Sequence, residues 1–181
     1  MLLLGCKPPG RHTEQHDVLF AIGQTPKDLI EQINTFWPEA MGRLHLDAWR
    51  EVIAVDGYQI TVVEKAAADI SQNNGNKLFF INLGGYLKNQ FDEQHYIVLS
   101  VNPDSASAIA AAKQTLFYQQ NGFAGAPSHI DDKYAIDVDD LYEVEDILMP
   151  IQKEKYALQI TQVPGLPDDE IHLGYFKLTK L

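Results

Sequence analysis

A tripeptide that occurs twice constrains this chain more than any other feature. Glu14-Gln15-His16 returns as Glu93-Gln94-His95, 79 residues later, and its surroundings return with it. Leu4-Gly5 falls on Leu83-Gly84, Val18-Leu19-Phe20 on Ile97-Val98-Leu99, and Ile30 on Ile109, all without a gap. A second echo, Leu44-His45-Leu46-Asp47 against Ser128-His129-Ile130-Asp131, is offset by 84 and places a five-residue insertion in the second copy. Internal repeats are read before local propensity because they set how many structural units a chain builds.

Each copy reads as β-β-α-β-β. Met1 to Leu4 and Lys77 to Leu83 are apolar runs that predict buried strands, closed by turns at Gly5 and at Gly84-Gly85. His16 to Ile22 and His95 to Val101 predict the second strands, with Glu14 and His16 sharing parity with Val18, Phe20 and Ile22 and so extending the core face. Thr25-Pro26-Lys27-Asp28 then combines a capping hydroxyl, a proline at the first helical position and an acid three residues after the cap. Leu29, Ile30, Ile33, Phe36 and Trp37 follow at helical spacing until Pro38. In the second copy Asp104 caps, Ala108, Ile109, Ala112 and Leu116 form the stripe, and Asn121-Gly122 closes it. His45 to Val55 and the alternating Gly57 to Val63 return to β, and Tyr134 to Val138 is aligned with Glu51 to Val55. Tyr156 to Thr161 and His172 to Leu178 predict the last two strands, the final one beside the second copy. The expected fold is therefore α+β: two tandem β-β-α-β-β repeats, residues 1–70 and 77–181, with a linker over 66–76. The repeats would be related by approximate twofold symmetry, with mostly antiparallel sheet and the helices on one face.

Charge and cysteine content narrow the function classes. The formal charge of −11 disfavours nucleic acid and anionic membrane as partners, since both demand a basic surface. The acids gather late, from Asp131-Asp132 to Asp168-Asp169-Glu170, and read as solvated loops and edges. A single cysteine, Cys6, forms no internal disulfide and suits a reducing cytoplasm. Leu3-Leu4-Gly5-Cys6 has the look of a lipoprotein cleavage box, but the repeat aligns Gly5-Cys6 with Gly84-Gly85, which marks it as core. No apolar run approaches the roughly 18 residues of a spanning helix. A soluble cytoplasmic protein is expected.

The combination of a Leu-Gly start, Glu-x-His opening a strand, His-x-Asp after the helix, Val-Asp-Gly-Tyr at 55–58 and Leu-Phe-Phe-Ile-Asn-Leu-Gly-Gly-Tyr at 78–86 resembles the bacterial family known as domain of unknown function 1543. The resemblance covers essentially the whole chain and implies a small duplicated bacterial cytosolic protein. It implies no activity. Cys6 stands where the pattern leads one to expect a second glycine, as at Gly85.

Four of the six histidines lie in the repeated motifs. Residues i and i+2 of a strand share a face, so Glu14 with His16, His45 with Asp47, Glu93 with His95, and His129 with Asp131 form carboxylate–imidazole pairs. Such pairs suit general acid–base catalysis, the carboxylate orienting the imidazole. The histidines His16, His45, His95 and His129 are equally the ligands zinc, iron or manganese would want. Against both stands a structural role, each imidazole hydrogen-bonded and holding a turn within its own copy. No nucleophile elbow or phosphate loop is present. The leading expectation is a non-enzymatic binding or interaction module without a cofactor, homo-oligomeric through the exposed strands Met1 to Leu4 and His172 to Leu178. A hydrolase or isomerase using the His and carboxylate pairs is the alternative.

Overall fold

A computed structural model describes residues 1–86, 89, 91–115 and 136–181, without the side chains of Ile70, Tyr86, Ile136 and Asp137. Its elements make a mixed α+β protein in which every strand pairing is antiparallel among the described residues. The chain divides into two compact units, Met1–Asp69 with Ile147–Leu181, and Ile70–Asp146.

In the first unit, β1 (Leu2–Cys6) lies between β2 (Gln15–Leu19) and β3 (His45–Trp49), and β10 (His172–Lys177) adds outside β3. Leu2, Leu4 and Cys6 point to one face of β1 and join Leu19, Leu46, Leu44, Ala40 and Ile33 in the core. Ile33 comes from α1 (Ile30–Phe36), and Leu29, Phe36 and Trp37 pack around it, as their helical spacing predicts. The start of that segment is held as its residues foretell. The Thr25 N–H and hydroxyl both donate to Asp28 Oδ2, at 2.9 and 2.8 Å, and a 3-10 turn over Pro26–Leu29 leads into the helix. A second sheet of this unit sets β4 (Ala54–Val55), β5 (Tyr58–Glu64) and β9 (Tyr156–Gln162) side by side. Asp56 and Gly57, at φ 53° and 78°, turn β4 into β5 with the left-handed pair that a tight hairpin requires.

The second unit is one sheet, with β6 (Lys77–Tyr86) between β7 (Glu93–Asn102) and β8 (Ile136–Glu143). Phe79, Ile81 and Leu83 face Ala108 and Ala112 of α2 (Ser105–Ala112), whose small side chains are wholly buried. Asp104 caps α2 by accepting from the Ser107 N–H at 2.8 Å.

Five expectations are corrected. Gly5-Cys6 and Gly84-Gly85 lie inside strands, because the strands must continue past the apolar run to pair with Gln15-His16 and Gln94-His95. Met1 to Leu4 offers no free edge, since β1 is paired on both sides. The last strand does not flank the second copy but pairs with β3, where Phe176 and Leu178 pack on the first core. His45 to Val55 is two strands, β3 and β4, belonging to different sheets. Val138 faces Leu83 as Leu46 faces Leu4, so the stretch around Val138 corresponds in register to β3, not to Glu51 to Val55. Leu116, Asn121-Gly122, His129, Asp131 and Tyr134 lie outside the described residues.

Candidate functional site

Alternation along β1 places Leu3 and Gly5 on the face turned away from α1. In register with Gly5 stand His16 on β2 and His45 on β3, so both imidazoles project from that same face. His16 therefore shares a side with Val18, as its parity requires. The core side of β2 is the other one, carried by Leu19. Leu19 and Phe20 are both apolar, so the sequence alone left the parity ambiguous.

Gly5 is what lets the two flanking side chains meet across β1. A Cβ at this position would collide with His45 Nε2 and Asp47 Oδ2. Asp47 reaches there because it is the extra residue of a bulge: Leu3 faces Ala48 and Leu4 faces Leu46. The pairs then form crosswise between strands. His16 Nε2 lies 3.1 Å from Asp47 Oδ2, and His45 Nε2 lies 3.2 Å from Glu14 Oε1 and 3.3 Å from Asp47 Oδ1. His45 is 5 % exposed and His16 46 %. For all its proximity to two carboxylates, His45 Nε2 has no aligned hydrogen bond, nor does buried Asp47 Oδ2.

His45 is also reached from outside. It lines a pocket of about 420 Å³ together with Glu14, Lys7, Arg11, Arg43 and Tyr175. The Tyr175 ring, delivered by β10, leans over the imidazole at 4.2 Å between centroids and a tilt of 31°. The Arg11 N–H donates to Pro8 O at 3.2 Å, and Gly10 adopts φ 79°, so Lys7 and Arg11 flank a tight Pro8-Pro9-Gly10 turn. Cys6 is on the opposite, core side of β1. Burial pushes its thiol above the ordinary value, the reverse of what a nucleophile needs.

In the second unit Gly84 faces His95 on β7 and Asp137 on β8. Asp139 is the bulged residue, and its carboxylate occupies the space a Cβ on Gly84 would take. The register positions of His45 and Asp47 thus have Asp137 and Asp139 as their counterparts. His95 Nδ1 lies 3.3 Å from Asp139 Oδ2 and from Asn82 Nδ2, while Glu93 Oε2 is 3.9 Å from Nε2. Glu93, His95 and Asp139 bring one ligand atom each within 4.8 Å of one another, the one group of three or more such side chains found among the described residues. His95 is 50 % exposed.

Residues 11–62 match the family model described as Domain of Unknown Function (DUF1543). Over this segment the chain is similar to DUF1543. The crystal structure of a protein Il1583 from Idiomarina loihiensis is similar in fold, with a TM-score of 0.60 and 22% identity over 98% of this chain and 94% of that one. Among curated proteins, none matches.

The matched segment contains Arg11, Glu14, His16, Arg43, His45 and Asp47, and so most of the polar groups around the pocket. Gly5, Lys7 and Tyr175 come from outside it. Sequence reasoning missed Lys7, Arg11, Arg43, Tyr175, Asn82 and Asp139. The first two had a signal: two cations bracketing Pro-Pro-Gly in a strongly acidic chain. Tyr175 had none, being brought in by a pairing from the far end of the chain. No helix is long and apolar enough to cross a membrane among the described residues.

Proposed function

We propose that this chain is a non-enzymatic binding module whose ligand site is the pocket over His45 in the first unit. One observation carries the reading: His45, Glu14 and Tyr175 line a concavity that also gathers Lys7, Arg11 and Arg43, a set of polar groups converging on one pocket. An NMR screen of small polar molecules against labelled protein tests it. Binding should move the His45 and Tyr175 ring signals and the amides of Lys7, Gly10 and Arg11. A screen in which no compound moves them removes the pocket from consideration.

Three further expectations belong to this reading. Tandem duplication is supported by the shared antiparallel orders β2-β1-β3 and β7-β6-β8, the glycine at matching register and the bulged aspartate in each. Self-association through an edge strand would use β10, which lies at a sheet edge and exposes Leu173 and Tyr175. A cytoplasmic setting suits the lone, buried Cys6.

A second reading, metal-dependent or acid–base catalysis by the His and carboxylate pairs, is favoured by the closeness of Glu93, His95 and Asp139. Two carboxylates and an imidazole with room for water is a donor set that zinc, iron or manganese accepts. Elemental analysis of purified protein decides it. Stoichiometric metal that disappears in His95→Ala without loss of fold would favour the enzyme; background metal would favour the binding module.

A further inference from the structure

We infer that the pocket of the first unit takes a small oxyanion, carboxylate or phosphate, held by Lys7, Arg11 and Arg43; the inference rests on the pocket reading above. The chain has 14 lysines and arginines against 25 acids, yet three of those cations line this one concavity. Among the described residues none of the three side chains forms an ion pair or a hydrogen bond. Elsewhere Lys77 forms a 2.7 Å pair with Glu143, which shows that an acid within reach is taken up.

Three cations gathered around one pocket of an acidic chain are what oxyanion recognition requires. Guanidinium groups match carboxylate and phosphate in planar, two-point fashion, and a lysine adds a mobile point charge. The Pro8-Pro9 turn limits the backbone freedom of the loop that carries Lys7 and Arg11, so less entropy is lost when a ligand arrives. Glu14 is the opposing charge in the pocket, and it lies 3.2 Å from His45 Nε2. Three cations to one carboxylate still leaves the lining net positive.

Glu14 also makes the inference sharply testable. The full-length protein would be titrated with orthophosphate, succinate and acetamide, following the amide signals of Lys7, Gly10 and Arg11. The expected result is saturable binding of one or both anions, weakened by salt and weakened about tenfold in Arg43→Ala and in Arg11→Ala. Glu14→Gln should bind more tightly, because it removes the one repelling charge. The anion bound more tightly names the class, phosphate or carboxylate. Binding that weakens in Glu14→Gln means that a cationic ligand group sits at the carboxylate, and overturns the inference. So does anion binding indifferent to both arginines. Acetamide binding alone would overturn the oxyanion class while leaving the pocket standing, whereas silence from all three probes would sink both.

Discussion

Gly5 is the residue on which the first site turns. Its neighbours across the sheet, His45 and Asp47, occupy the space of the missing Cβ, and His45 is too buried to swing away. Gly5→Ala should therefore destabilise the protein by about 1–3 kcal/mol, as overpacking of a close-fitted site does. Equilibrium urea denaturation reads this directly, and a variant as stable as the parent would mean that the crosswise pairs are looser than described. Cys6 supports a second prediction at the same scale. Its thiol is buried, and burial raises its pKa above the ordinary 9.0. A thiol reagent should leave the native protein unlabelled and react once it is unfolded. The sign of the pH dependence follows: above pH 9.0 the unfolded chain releases this proton while the folded chain retains it, so stability falls as pH rises past that value. Cys6→Ala should flatten that alkaline decline, and an unchanged slope would assign it to other groups. Both residues were conspicuous in the sequence. What they touch was not, since β1 presents Cys6 to the core and Gly5 to the imidazoles on opposite faces.

Among the elements, α2 depends most on its first residue. Eight residues are few for a helix to hold itself, so its cap and its two buried alanines carry it. The Ser107 N–H holds the Asp104 carboxyl below its ordinary 3.8. A depressed carboxylate stabilises the fold above that ordinary value and ceases to do so as pH falls through the folded one. Asp104→Ala should accordingly lower the melting temperature at neutral pH and lose less on acidification than the parent. Equal acid sensitivity in the two would show that the cap contributes nothing. Helix starts were the most legible elements, Thr25-Pro26-Lys27-Asp28 and Asp104 both standing where their chemistry places them, because caps act within four residues. The second copy's His129-Asp131 was matched to His45-Asp47 by letters, yet the strand in register with β3 carries Asp137 and Asp139. Register aligns His45 with Asp137, further along than His129, so the second copy carries a longer insertion before this strand than letter matching assumed.

At the scale of the whole molecule the unexpected arrangement is the return of the C-terminal segment to the first unit. β9 pairs with β5 over seven residues, β10 lies against β3, and Asp169 accepts from the Ile53 and Ala54 N–H groups at 2.9–3.2 Å. Phe176→Ala should thus weaken the first core by about 1–3 kcal/mol, less than a fully buried phenylalanine would cost. In hydrogen exchange its effect should reach the amides of β1 and β3 and spare those of β6 and β7. Loss of protection confined to β6 and β7 would contradict the assignment of units. Most of the strands and the helix starts were legible in the chain itself, because each is encoded by periodicity or capping chemistry within a dozen residues, and the resemblance to a family was carried by motifs of similar length. The pocket was not. Lys7, Arg43, His45 and Tyr175 are separated by most of the chain, and they meet because β10 pairs with β3 and Gly5 clears the ground between β2 and β3. Long-range pairing is chosen by the best total burial and hydrogen bonding, a property of the assembled sheet that no short stretch of sequence records.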